Sequence, residues 1–404
     1  MRRVAVTGIG VISAIGKNRI EFEQSLREGR CGMIPLTDPA HREFRFRNGA
    51  EVTGFNAADH FGLKEADMMD RFAQFAVVAA REAVAHSGLE WTEELRENSA
   101  IVTGSCIGGQ ATEDQGFFDV YKMGKPRVHP MTIPKTMANA GASAISLEFG
   151  ITGPAFTIAT ACSSSAHAIG QAFHMVRSGM CDVAITGGSE APFSYGVLKA
   201  WEAMRVVSPD VCRPFSRDRN GMILGEGAAM LVVEALDHAE ARGARPVAEI
   251  VGFGMSSDAH HITQPSAEGA AKAMRMALKD AAIVPEQIGY VNAHGTGTLV
   301  NDPTETRALH LAFGEHVRRL AISSTKAMHG HTLGAAGAIE SSAAILALAT
   351  GILPATIHFT AADPECDLDC IPNSARLARV EYALSNSFAF GGLNAVLAFK
   401  ALSA

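Results

Sequence analysis

The stretch AFTIATACSSSAHAIGQAFHMVRSG, residues 155–179, contains a strand, a turn and a helix in succession. Phe156 and Ile158 alternate with smaller residues, which predicts a strand. Ile169, Phe173 and Val176 recur at helical spacing and Gly179 supplies the stop, which predicts a helix. Cys162 stands between them in a run of Ala, Ser and Thr. The amides and positive dipole end of a helix N-terminus favour a thiolate and can hold an oxyanion. A cysteine among alanines is by itself more often an inert core residue. The turn position makes Cys162 a candidate nucleophile, and other residues must decide.

The same alternation extends along the chain. RRVAVTG, AIVTGS, DVAITGG and AAMLVVE are short and rich in β-branched residues, with helical patterns between them. One of these, MDRFAQFAVVAAREAVAHSG (69–88), aligns Phe72, Phe75, Ala76, Ala79 and Ala83 on one side and stops at Gly88. This predicts α/β layers around largely buried sheets. The pattern then restarts with PVAEIVGFG, GYVNAHG, LAISSTK and YALSNSFAFGGLNAVLAF. Two similar halves, assigned to residues 1–240 and 241–404, are expected to meet at a shared site.

A hydrophobic fraction of 47% against 19% charged residues supports a large core. The net charge of −7 argues against a nucleic-acid partner. The apolar run AIESSAAILALATGILPA is interrupted by Glu340, Ser341 and Ser342, so no membrane span is expected. The opening MRRVAVTGIGVISAIG reads as strand then turn rather than a secretory signal. Its GIGVIS lacks the third glycine of a dinucleotide fingerprint and is assigned to a tight turn. Seven cysteines without a regular framework point to a reducing cytoplasm.

Two further turns carry chemistry. NAHGTGT (292–298) puts His294 at a strand end before a glycine-rich loop, where α/β proteins place catalytic groups. SSTKAMHGHTLGAAGAIE (323–340) places Lys326, His329 and His331 ahead of an apolar helix. No HExxH or cysteine cluster accompanies the histidines, so no metal is assigned. Cys366 and Cys370 in PECDLDC read as a surface loop. One thiol, two histidines and a lysine on small-residue turns are the parts for covalent acyl transfer. A papain-like hydrolase would use Cys and His but would not need the second histidine.

With TACSSSAHAIG, NAHGTGT, STKAMHGHTLGAAGAIE and NSFAFGGLN in order, the chain resembles the β-ketoacyl-acyl carrier protein synthases over essentially its whole length. The resemblance implies a thiolase-like five-layered αβαβα fold of two related halves. It implies decarboxylative condensation of an acyl chain on Cys162 with malonyl-acyl carrier protein, without a cofactor. By the same resemblance His294 and His331 act on the malonyl thioester. Lys326 matches the family lysine, and Glu305 its usual salt-bridge partner. Phe390, followed by Gly391, matches a gating phenylalanine whose amide completes an oxyanion hole with that of Cys162. Glu340 and Asn386 match structural positions beside a bound monovalent cation. Lys64, Lys125, Arg127 and Arg205 are the candidates for docking acidic carrier protein. The resemblance also implies a homodimer, or a heterodimer with a homologous chain-length subunit.

Three features depart from the housekeeping synthases. Ala389 and Leu393 replace a usual glycine and threonine at the gate, and His329 stands where a threonine or serine is common. KEADMMD (64–70) has one basic residue, Lys64, against the acidic Asp67 and Asp70. Residues 196–228 resemble the nodulation protein E branch, so a dedicated nodulation-type or secondary-metabolite ketosynthase is the alternative.

Overall fold

The computed structural model describes residues 1–38 and 43–402. Ten strands build one mixed sheet: β1 (Val4–Ser13), β2 (Ser99–Gly104), β3 (Ala155–Ile158), β4 (Val183–Glu190), β5 (Gly227–Ala235), β6 (Ala248–Ser257), β7 (Ile288–Asn292), β8 (Ala321–Ser323), β9 (Tyr382–Ala389) and β10 (Leu393–Ala401). Their spatial order is β8-β7-β9-β10-β6-β1-β5-β4-β2-β3. Outward from the centre, one half reads 1-5-4-2-3 and the other 6-10-9-7-8. Every strand therefore has a counterpart five strands later. The directions repeat as well: β1–β5–β4 and β6–β10–β9 are antiparallel, while β4–β2–β3 and β9–β7–β8 are parallel. The halves join where β1 pairs with β6, at Val4–Ile250, Ala5–Glu249 and Val6–Ala248.

Seven helices position the site: α1 (Arg71–Ser87), α2 (Ala140–Phe149), α3 (Ser164–Ser178), α4 (Tyr195–Met204), α5 (Ala267–Ala281), α6 (Asn301–Phe313) and α7 (Ala336–Thr350). Alternate residues of a strand face opposite sides. Leu231 and Val233 of β5 point into a core with Phe173 of α3 and Leu346 of α7, whereas Met230 and Val232 point into a core with Phe72 and Phe75 of α1. In the second half Leu397 joins the α3–α7 core and Val396 the core under Met274 of α5 and Leu309 of α6. Three helical layers thus enclose two sheet layers, the expected αβαβα arrangement. The apolar helix α7 lies in the middle. The segment Leu333–Thr350 is long and apolar enough to cross a membrane, but 89% of it is buried in the fold.

Two local expectations are corrected. GIGVIS is not a turn; it continues β1 to Ser13. Its glycines serve close packing, since a Cβ on Gly8 or Gly10 would collide with the backbone carbonyl of Ala83 or Ala79 on α1. The strand at 155–158 is the outer edge β3, with Phe156 exposed. Cys366 and Cys370 lie in a loop, but both thiols are buried in the core beneath α6.

Gly10→Ala is expected to cost about 3 kcal/mol because the clash is with backbone and cannot be relieved by a rotamer change. Gly62→Ala, at a site open within 4 Å, should stay within about 0.5 kcal/mol of wild type. Thermal and denaturant unfolding of the two variants checks the difference.

Candidate active site

The strand–turn–helix at residues 155–179 forms as its sequence predicts. Strand β3 ends at Ile158, and α3 starts at Ser164 with Gly179 as its left-handed cap. Ala161, immediately before the thiol, has φ +50°. That left-handed turn disfavours large side chains, which accounts for a small residue there. Ser163 Oγ reaches Thr160 O at 2.8 Å and Leu393 O at 2.9 Å, tying the thiol's turn to the β9–β10 hairpin.

His294 follows β7 and His331 follows β8, so both come from parallel strand ends in the second half. Their rings are perpendicular, with centroids 5.4 Å apart. With Cys162 they line one cavity of about 450 Å³, whose walls include Trp201, Arg205, Phe388 and Phe390. The structure therefore brings the thiol to both histidines from a turn more than 130 residues away in sequence.

Lys326 is fully buried and pairs with Glu340 of α7. Its ammonium also donates to His294 O at 2.6 Å and to His294 Nδ1 at 3.2 Å. His331 Nδ1 accepts the Leu333 N–H at 3.3 Å. With both Nδ1 atoms accepting, the proton of each neutral ring is assigned to Nε2. Burial, then the Lys326 charge, holds both histidines well below the ordinary imidazole range. Two neutral N–H donors result. Burial pushes the Cys162 thiol up to about 12, with Lys326 the largest opposing influence.

Glu305 is not the ion-pair partner of Lys326, contrary to expectation; Glu340 is. Glu305 instead accepts the amides of His294 at 2.8 Å and Gly295 at 2.7 Å, and Asn386 Nδ2 at 3.2 Å. A carboxylate facing two consecutive amides is committed to shaping the His294 turn. His329 is neutral and structural: burial pushes it down to about 3, Nδ1 donates to Gly330 O at 2.8 Å, and Nε2 accepts from Thr325 Oγ1 at 3.0 Å.

Phe390, Gly391 and Gly392 form the hairpin tip between Ala389, the last residue of β9, and Leu393, the first of β10. Gly391 (φ +83°) and Gly392 (φ +69°) supply the left-handed turn, so the register-paired Ala389 does not need glycine's freedom. Among the docking candidates, Arg205 lines the cavity. Lys64, Lys125 and Arg127 do not line it; Lys125 is engaged by Asp119 at 2.9 Å. The segments carrying these three are joined where His129 and Lys135 contact Asp67, each at 3.1 Å.

Asn292 Oδ1, Asn386 Oδ1, Ser385 Oγ and Ser387 Oγ are buried without a hydrogen-bond partner among the described residues. The Glu340 carboxylate has only its ion pair with Lys326. Ser385 and Ser387 lie on the face of β9 that meets α7, so with Asn292 and Glu340 they offer neutral oxygens and one carboxylate, the donor chemistry of a hard cation, while Asn386 lies on the opposite face beside Glu305.

Two contributors were not singled out from sequence. Glu190 accepts Cys106 N at 2.6 Å, Gly334 N at 3.0 Å and Ser105 Oγ at 3.0 Å, binding the end of β4 to the loop after His331. Trp201 stacks on Phe390. Glu190 closes the strand motif ITGGSE, whose glycine pair and strand-end position were the available signal, whereas nothing around Trp201 marked it.

Residues 1–239 match the β-ketoacyl synthase, N-terminal domain, and residues 247–360 its C-terminal domain. The chain is 44% identical over 401 residues to nodulation protein E of Rhizobium sp. (strain N33), covering 99% of each. It is 41% identical over 411 residues to 3-oxoacyl-[acyl-carrier-protein] synthase 2 of Staphylococcus aureus (strain COL), covering 100% of this chain and 99% of that one. A solved structure described as the ishigamide ketosynthase/chain length factor superposes with TM-score 0.94 at 38% identity, over 100% of both chains.

Because the folded values of His294 and His331 are lowered, their neutral forms persist as pH falls through 6.5. In ¹⁵N-histidine spectra assigned with single variants, both should show an unprotonated Nδ1 and constant shifts from pH 8 to 6. A titration centred near 6.5 would contradict the enclosed geometry.

Proposed function

The chain belongs to the β-ketoacyl synthase family and is a condensing acyltransferase, and from that footing we propose that Cys162 carries the acyl chain while His294 and His331 generate the carbon nucleophile. The observation that carries this reading is the shared cavity: one enclosed thiol faces two histidines whose Nδ1 atoms are occupied.

In the loading half-reaction, Cys162 Sγ attacks the thioester carbonyl of an acyl chain on acyl carrier protein. The bond to the carrier sulfur breaks, and the thiol proton ends on that leaving sulfur. Lys326 and the N-terminus of α3 favour the negative charge as it develops on Sγ. The amides of Cys162 and Phe390 are assigned to the carbonyl oxygen. Gly391 and Gly392 are already committed, to Ile262 O and Ala389 O.

In the second half-reaction, the Nε2–H groups of His294 and His331 hold the carbonyl oxygen of the malonyl thioester. Its carboxylate leaves as carbon dioxide, and the electron pair remains as an enolate. The enolate carbon attacks the acyl carbonyl on Cys162 and breaks the C–S bond. A solvent proton restores the thiol. The product is a 3-oxoacyl thioester two carbons longer. Lys326 and Glu305 are positioning residues: one occupies His294 Nδ1 and the other its backbone amide. A monovalent cation held by Glu340, Asn292, Ser385 and Ser387 would supply charge balance and order to the strands beneath the site, whereas Asn386 faces the other side of β9, on Glu305.

A specialised elongating role is supported by the identity to nodulation protein E and by the superposition on a ketosynthase/chain length factor. The open edge β3, with Phe156, and the exposed Phe117, Phe118 and Tyr121 suit a second thiolase-like subunit. That subunit is a second copy or a homologous chain-length subunit. Arg205 at the mouth and Lys64, Lys125 and Arg127 beyond it are proposed to meet acidic carrier protein. Seven free thiols suit the reducing cytoplasm.

Cys162→Ala is expected to abolish acyl labelling, read by intact mass and peptide mapping. A label on another cysteine would refute the assignment. His294→Ala and His331→Ala should each still load Cys162 but lose about 10²-fold in malonyl decarboxylation. Wild-type carbon dioxide release from both would remove them from the chemistry.

A further inference from the structure

The gate has a second half. Trp201 lies on α4, one turn before its end at Met204. Its ring stacks on Phe390, with centroids 6.2 Å apart and planes inclined at 26°. Both rings line the cavity that contains Cys162, His294 and His331. Trp201 also packs on the apolar cluster around Cys162, with Ile107, Phe193 and Ala389.

The hairpin tip is fastened on the glycines that follow Phe390. Gly391 N–H donates to Ile262 O at 2.7 Å, and Asp258 N–H to Gly392 O at 2.9 Å. Asn394 Nδ2 holds Asp258 Oδ1 at 2.7 Å, and Ser163 Oγ holds Leu393 O at 2.9 Å. A Cβ on Gly392 would meet the Asp258 side chain, so the backbone has little room. The ring can therefore move by side-chain rotation, and its aromatic partner is Trp201.

We propose that Trp201 is the latch of the gate: a positioning residue that holds Phe390 inside the cavity shared by Cys162, His294 and His331 until an acyl group on Cys162 displaces the pair. Trp201 packs on the Cys162 cluster and Phe390 stacks on Trp201, so an acyl chain on that sulfur competes for the space the pair fills. Loading thereby opens access to His294 and His331, and decarboxylation waits for an acceptor. Without this coupling a malonyl thioester would lose carbon dioxide unproductively, its enolate carbon taking a solvent proton to give an acetyl thioester. A stacked pair of this kind shifts a closed–open equilibrium by about 2- to 10-fold.

The inference rests on Cys162 being the acyl acceptor, and the test separates the two. The probes are malonyl pantetheine and octanoyl pantetheine with the full-length enzyme. Carbon dioxide release is measured with and without octanoyl loading, and Cys162 loading is followed by mass. Trp201→Ala should raise acceptor-independent decarboxylation, relative to condensation, by about 2- to 10-fold while Cys162 still loads. Trp201→Phe, which retains an aromatic face, should return the ratio towards wild type. An unchanged ratio in a loaded Trp201→Ala enzyme overturns the latch alone, whereas absence of octanoyl on wild-type Cys162 overturns the acyl-acceptor reading and the latch with it. The chain has two tryptophans, so Trp91→Phe leaves Trp201 as the sole reporter. Its emission should shift on octanoylation even if Trp201→Ala does not fold, and an unaltered spectrum would overturn the latch.

Discussion

A fully enclosed ammonium holds this site together. Lys326 has no exposed surface, and a buried charge is tolerated only when it is paired and its donors are used. Its three N–H bonds have three acceptors: the Glu340 carboxylate, His294 O and His294 Nδ1. These come from the interior helix α7 and from the turn after β7, while Lys326 itself follows β8. One side chain therefore joins three elements and assigns the His294 tautomer. Its charge also opposes protonation of His331 and favours ionisation of Cys162. Removing it would leave Glu340 buried and unpaired, a loss that in comparable buried pairs costs about 3–5 kcal/mol.

The duplicated sheet explains why these groups meet. Strands β3 and β8 are counterparts, and so are β2 and β7. Cys162 follows β3, and the Lys326–His331 loop follows β8; each leads into one of the two interior helices, α3 and α7. Those helices pack together between the sheet layers, so their N-terminal ends present the thiol and His331 to a common space. His294 enters from the end of β7, and Glu190, at the end of β4, braces the loop after His331. The first half contributes Cys162 and the second contributes His294, Lys326 and His331. Neither half contains a complete site.

Much of this was legible along the chain. The alternation at 155–158, the helical spacing at 169–176 and the stop at Gly179 describe the strand–turn–helix around Cys162. The restart near residue 246 matches the repeat of five strands. Near-continuous apolar runs such as AAMLVVE reflect a strand with a core on each face. Other readings failed where the deciding contact was distant. Gly8 and Gly10 looked like turn residues, but α1 presses on them from about 70 residues away. Cys366 and Cys370 sit in a polar run whose loop folds into the core beneath α6.

The sequence by itself determined the secondary-structure periods, the two-half organisation and the small-residue turns bearing Cys162, His294, Lys326 and His331. Those properties depend on local sterics and burial patterns that repeat every two or 3.6 residues. Only the tertiary structure decided that Lys326 pairs with Glu340 rather than Glu305, that both histidines are neutral with Nε2 protonated, and that Trp201 faces Phe390. Spacing records which residues share a face, but not which distant atoms fill the last hydrogen-bond position. The desolvation that sets each protonation state exists only once both halves have closed around the site.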